Sequence, residues 1–185
     1  MRAHRRGFSL IEMLVVIAMI GVLLTIMVPK IRVSRAQKTY RAAEQLVQDI
    51  EMVRTRAITG RALSRIAFVT ATNSYTPYFD DNGDGALTQS AAETAAIRGL
   101  QARTMTDGVI FGRGAAPQLP GFAGAGVVTF ANTRVDFDTR GLTTPFGTKG
   151  VVYFTNTFDA TAIAAVSVTA GAGTRRWVYR GGVWQ

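Results

Sequence analysis

Cysteine is absent from the 185 residues, which excludes a disulfide framework, a thiolate zinc site and a cysteine nucleophile. Histidine is almost as scarce: His4 is the single imidazole, and it stands ahead of a long apolar run. The rest of the chain therefore lacks the usual general base of hydrolases and the commonest metal ligand. Acidic residues are few, 12 Asp and Glu against 21 Lys and Arg, for a formal charge of +9. That balance favours anionic partners such as lipid headgroups or nucleic acid, and it bears on association, not on fold. The length suits one compact domain plus one further segment.

Residues 8–28 read FSLIEMLVVIAMIGVLLTIMV, apolar except for Ser9, Glu12 and Thr25. As a helix rising about 1.5 Å per residue, this stretch crosses a hydrocarbon layer of roughly 30 Å once. A secretory signal would be shorter and would end in a small-x-small site, and none follows Val28. Glu12 is out of place in such a run, because a carboxylate near the centre of a span costs about 2.5–3.5 kcal/mol, less near its end. Either it tilts toward the headgroups or it meets a cation from another chain. A new α-amino group at Phe8, four residues away, is such a cation. A slight axial stagger between neighbouring helices would set one terminus beside the other chain's Glu12, where low dielectric strengthens the pairing. Basic residues flank the run on both sides, Arg2, Arg5 and Arg6 before it and Lys30, Arg32, Arg35 and Lys38 after it, so charge bias alone chooses no topology.

The order Arg5-Arg6-Gly7-Phe8-Ser9-Leu10-Ile11-Glu12, followed by the apolar run, closely resembles the type III signal of type IV prepilins and pseudopilins. The resemblance implies that prepilin peptidase cuts after Gly7 and N-methylates Phe8, and that Glu12 serves filament assembly. It also implies that Gly21 and Pro29 lie where pilin helices soften or kink. The implied topology is a single pass through the bacterial inner membrane, with the leader in the cytoplasm and the following domain in the periplasm and later in a filament. Loss of residues 1–7 would leave 18 basic against 12 acidic residues, a charge of +6, and no imidazole.

From Pro29 the pattern becomes one-sided. Ala36, Tyr40, Ala43, Val47, Ile50, Val53 and Ala57 recur at steps of three and four, which predicts an amphipathic helix ending at Gly60. Joined to the apolar run, with Pro29 absorbed as a kink, the helix would cover residues 8–59, roughly 78 Å. Nine Lys and Arg lie between residues 30 and 65 against Glu44, Asp49 and Glu51. They read as a solvated face with headgroup contacts, each worth about 1 kcal/mol near an anionic surface. Beyond Gly60, β-branched and aromatic residues punctuated by Asn-Gly and Asp-Gly predict strands near 63–70, 75–79, 109–112, 127–130, 134–138, 151–155, 163–169 and 175–180. Residues 91–100 are helix formers in a stretch that could equally be irregular, and the Gly/Ala/Pro-rich segment 112–126 reads as a surface loop. The expected class is α+β: a long N-terminal α-helix, transmembrane then amphipathic, packed on a C-terminal antiparallel β-sheet domain. The expected divisions are a leader (1–7), a transmembrane and assembly half-helix (8–28), an amphipathic half-helix (29–60) and a β-rich domain (61–185).

Three local patterns extend the resemblance to the GspH/FimT family of minor pilins and pseudopilins: Tyr78-Phe79-Asp80-Asp81-Asn82-Gly83-Asp84-Gly85, Phe137-Asp138-Thr139-Arg140-Gly141, and Arg175-Arg176-Trp177 through Gly182-Val183-Trp184. That family implies a place at or near a filament tip. Asp80, Asn82 and Asp84 also match the first half of a calcium loop, but its twelfth position is Ala91 instead of the bidentate Glu. Turn chemistry explains the segment without a metal. Asp136 and Asp138 share a strand face and, with no further catalytic group, read as a polar edge or turn support.

Arg175, Arg176 and Arg180 interleave with Trp177 and Tyr179, a mixture able to bind phosphates and stack on bases. Alternation sets Arg176 and Arg180 on one face and the two aromatics on the other. In the plainer reading the aromatics face the core and the arginines are solvated. FimT-like pilins that bind incoming DNA through C-terminal arginines make DNA a candidate partner by resemblance.

The expected function is assembly without catalysis or cofactor: a minor pseudopilin or minor pilin of a type II secretion system or type IV pilus. Its expected partners are prepilin peptidase, other pilin or pseudopilin subunits, inner-membrane lipid before assembly, and a secreted protein or DNA. The alternative is a DNA-binding minor pilin acting in natural transformation. A hydrolase has no histidine, cysteine or carboxylate constellation behind it.

Overall fold

The computed structural model describes residues 9–27, 34–95, 97 and 99–185, which fall in two compact units divided after Ser34. Gly7, Phe8 and Pro29 lie outside the described residues, as does the expected join of the two half-helices across 28–33.

The first unit contains α1 (Leu10–Met27). Its apolar side chains are exposed around the whole circumference as far as Leu23. Among the described residues no helix is long and apolar enough to cross a membrane. The 18 residues of α1 rise about 27 Å, just short of a span, while the apolar sequence extends to Phe8 and Val28.

The second unit opens with α2 (Arg35–Gly60), whose stop agrees with the expected one. Gly60 is required there by a close approach, since a Cβ would lie 2.4 Å from Cζ of Phe79. The buried stripe is Thr39, Ala43, Leu46, Asp49, Ile50, Val53 and Ala57. It is rotated slightly from the expected face: Leu46 and Asp49 are inside, while Tyr40 and Val47 are only half-buried.

Two antiparallel five-stranded sheets follow. The first has β1 (Ser64–Val69), β2 (Ser74–Phe79), β3 (Arg103–Thr104), β5 (Arg134–Phe137) and β6 (Thr143–Thr144), in the order β3-β2-β1-β5-β6. The second has β4 (Val109–Phe111), β7 (Gly150–Asn156), β8 (Asp159–Val168), β9 (Thr174–Arg180) and β10 (Val183–Trp184), in the order β10-β9-β8-β7-β4. One core joins α2 to both sheets. Leu46, Ile50 and Val53 meet Ile66, Phe68, Tyr75, Val135 and Phe137 of the first sheet and Val152, Phe154, Ala164 and Val166 of the second. Burying each such aliphatic side chain contributes about 1.5–3 kcal/mol. The fold is α+β, with an amphipathic helix packed on antiparallel sheets.

β7 is buried along its whole length, and its two faces serve different cores. Val152 and Phe154 face α2, whereas Val151 and Tyr153 join Leu119, Ala165 and the half-buried Phe122, Trp177 and Trp184 on the far side. The 112–126 segment is thus more than a surface loop. It buries Ala116 and Leu119 and donates the Leu119 amide to the Tyr153 hydroxyl at 2.9 Å.

The strand expected near 127–130 is reduced to a single bridge, Val128 to Val152. The amide of Val151 donates to the Thr129 hydroxyl at 2.7 Å instead of to a carbonyl, which interrupts the ladder. Among the described residues of the helix-forming stretch 91–100, the helical part is the short α3 (Ala91–Ala95). β9 and β10 form a closing hairpin, as the resemblance over 175–184 implies, while the two-residue strands β3 and β6 have no counterpart among the expected strands.

Candidate functional site

Glu12 occupies the first turn of α1 and is exposed, in a helix whose other described residues are nearly all apolar. The Met13 amide donates to the Ser9 carbonyl at 3.2 Å, so this turn is helical from its first residues. α1 runs unbroken through Gly21.

The C-terminal arginines do not converge. β9 pairs with β8 in the register Val166↔Arg176 and Ala164↔Val178, which turns Arg176, Val178 and Arg180 toward α2. Arg176 Nε lies 3.1 Å from Oε2 of Glu44, and the Arg180 guanidinium sits 5.1 Å from the centre of the Tyr40 ring. Arg175 is on the opposite face, its guanidinium 3.9 Å over the Trp177 ring, while the Trp177 indole donates to the Ser167 hydroxyl at 2.9 Å. The aromatics Trp177, Tyr179 and Trp184 pack over the outer core with Tyr153. The arginines flanking them are held by helix and ring partners and are not simply solvated.

The other charged candidates are committed to the framework. Arg65, counted above with a solvated basic face, is buried and grips Asp136 through two bonds of 2.6 and 2.7 Å. These residues stand directly opposite in the β1–β5 register, and a third bond from Arg65 to the Leu87 carbonyl ties down the next loop. Asp138 accepts the Leu142 and Arg140 amides and the Arg140 guanidinium. Burial opposes its ionisation, but these donations outweigh it and hold the carboxyl below its ordinary value. Asp80 accepts the Gly83 and Gly85 amides at 2.8 and 2.9 Å, Asn82 accepts the Asp84 amide, and Asp84 accepts that of Ala86. The calcium-like residues therefore close a turn on themselves. Among the described residues no group of three acidic, histidine or cysteine side chains could hold a metal ion.

One site escaped the sequence. Asp49 is fully buried on α2 and accepts from Gln45 Nε2 at 2.8 Å, the Tyr75 hydroxyl at 2.5 Å and Arg103 Nε at 2.6 Å. Burial, and then the bond to Asp49, pushes the Tyr75 phenol well above its ordinary value. The network joins α2, β2 and β3. The available signal was position, since Asp49 falls three residues after Leu46 and four before Val53, on the apolar stripe.

Residues 2–28 match the prokaryotic N-terminal methylation motif. No curated protein sequence matches the chain. The motif thus stands ahead of a domain in which a helix packs on antiparallel sheets. The fold is that of the minor pseudopilin EpsH from the type 2 secretion system of Vibrio cholerae. One EpsH structure is 11% identical, with 79% of this chain and 99% of that chain covered and a TM-score of 0.51. A second is 14% identical, with 77% and 95% covered and a TM-score of 0.50. The type IV minor pilin FimU of Pseudomonas aeruginosa aligns at 14% identity over 80% of this chain and 92% of that one, with a TM-score of 0.48.

Proposed function

We propose that this chain is a minor pseudopilin or minor pilin of the GspH/FimT type, which acts by assembly and not by catalysis. Residues 1–7 are a leader removed after Gly7, Phe8 becomes the N-methylated terminus, and residues 8–28 hold the subunit in the inner membrane, single-pass, before it enters a filament at or near the tip. Residues 29–60 continue as the amphipathic half-helix, and 61–185 form the exposed domain. The observation that carries this reading is α1, apolar around its whole circumference with one acid in its first turn. A helix of that kind needs lipid or other apolar helices on every side. Glu12 meets the Phe8 α-amino group of a neighbouring subunit and sets the axial register, while Gly21 and Pro29 let the helix bend.

The partners in this reading are prepilin peptidase, inner-membrane lipid and other pilin-type subunits, with a secreted protein as the cargo of a type II system. Glu12→Ala tests it. The variant is still cleaved after Gly7 but fails to enter filaments sheared from cells; incorporation at the unaltered level counts against the reading. DNA capture is the alternative, and the division of Arg175 from Arg176 and Arg180 between two faces of β9 weighs against it.

A further inference from the structure

The end of the domain at which the chain enters also holds an aromatic ring out into solvent. β7 and β8 turn at Thr157 and Phe158 beside the start of α2, and Phe158 is 65% exposed. Its backbone is fixed: the amide donates to Oδ1 of Asn156 at 3.0 Å and the carbonyl accepts from Nη1 of Arg35 at 2.7 Å. The Arg35 guanidinium lies 5.3 Å from the ring centre. Gly108 supports the ring from below at φ +77°, where a Cβ would approach Cδ2 of Phe158 to 2.5 Å. The Thr157 amide donates to the Gly108 carbonyl at 2.9 Å, and Asn156 Nδ2 donates to that of Asp107 at 3.2 Å. Three chain segments are thus tied together around a ring that none of them covers.

Charge at this tip is mixed but unequally engaged. Lys38 pairs with Asp107 at 2.9 Å, and Asp159 accepts the Thr161 amide and hydroxyl. The bond from Arg35 to Phe158 uses one of the five N–H groups of a guanidinium, whose charge also acts on the neighbouring Asp159. Lys30 and Arg32 precede it in sequence.

We propose that this tip is a membrane contact. With α1 in the bilayer, Phe158 rests at the boundary of headgroups and acyl chains and Arg35 meets lipid phosphates, which holds the domain in one orientation on the phospholipid surface until the subunit is drawn into a filament. The inference rests on the reading of residues 8–28 as membrane-inserted. Eight peptide bonds link Met27 to Arg35, so the tether reaches at most about 28 Å even when extended. Amphipathic and aromatic side chains concentrate at such interfaces, and a basic residue near an anionic surface gains about 1 kcal/mol. Phe146 provides an internal contrast: it is 77% exposed but precedes β7, whereas Phe158 follows that seven-residue strand, which rises roughly 23 Å.

The lack of cysteine allows single environment-sensitive labels to be placed on the full chain. In vesicles of phosphatidylethanolamine and phosphatidylglycerol carrying doxyl-lipid quenchers, deep ones for residue 16 and shallow ones for residues 146 and 160, labels at Val16→Cys and Ala160→Cys are expected to be quenched and one at Phe146→Cys is not. Adding Phe158→Ser and Arg35→Ala to the Ala160→Cys protein abolishes the quenching at 160 but leaves that at Val16 unchanged. A quenched label at 16 with an unquenched one at 160, or equal quenching at 160 and 146, overturns the membrane contact and leaves insertion standing. An unquenched label at 16 overturns insertion, and the contact with it.

Discussion

Arg176 and Glu44 meet where β9 passes α2, Nε to Oε2 at 3.1 Å, with each side chain a little under half exposed. A pair this exposed contributes little to stability, about 0–1 kcal/mol, yet it turns one of the candidate DNA-binding arginines toward its own helix.

Arg176→Ala with Arg180→Ala should therefore lower stability by no more than about 1 kcal/mol. Titration of duplex DNA at rising salt should give the same weak response for wild type and variant. Tight wild-type binding with a steep salt slope, lost in the double variant, would favour DNA capture.

Asp49→Ala should destabilise the domain by roughly 2–4 kcal/mol, because it strands the buried Tyr75 hydroxyl and removes the partner of Arg103. Arg103→Ala should cost less, about 1 kcal/mol, since the Arg103 side chain is 42% exposed and water can screen what remains. Urea unfolding checks both, and an Asp49→Ala protein as stable as wild type would refute the account of this network.

Glu93 should make the domain acid-sensitive. Burial opposes its ionisation, but the Thr88 amide and hydroxyl and the Ser90 and Gln89 amides outweigh it and hold the carboxyl below its ordinary 4.5. A pKa depressed by folding gives stability that is fully present above 4.5 and lost as pH falls through the lower folded value. Glu93→Gln should flatten the fall in melting temperature between pH 5 and the acid limit. An unchanged profile would assign the acid sensitivity elsewhere, with Asp138 next in line.

Gly141→Ala should destabilise by about 1–3 kcal/mol. Gly141 has φ +75°, its carbonyl accepts Arg54 Nε at 2.9 Å, and a Cβ would lie 2.6 Å from Cδ1 of Ile58. Thermal melts of this variant beside Gly147→Ala, also at positive φ but with open space around it, separate the clash from backbone strain.

The parts of the fold governed by short-range pattern were legible in the sequence. The steps of three and four from Ala43 to Ala57 specified α2, and the continuous apolar run of β7 followed from a strand covered on both faces. What escaped depends on contacts between distant segments. Asp49 reads as a surface acid until Tyr75 and Arg103 are brought to it, and Arg65 reads as a basic flank until β5 sets Asp136 opposite. The strand at 127–130 failed because a hydroxyl replaced a carbonyl in the ladder, a substitution that propensity does not register. For the candidate sites, alternation placed Arg176 and Arg180 together correctly, but Glu44 and Tyr40 could not be foreseen as the partners they face.

Filament entry requires processing at the front of the apolar helix. Intact-mass and N-terminal peptide analysis of the full chain, co-expressed with a prepilin peptidase whose activity on a known prepilin is verified in the same cells, measures it directly. The expected product is a chain that begins at N-methylated Phe8. Recovery of the protein with Met1 through Gly7 still attached would contradict it.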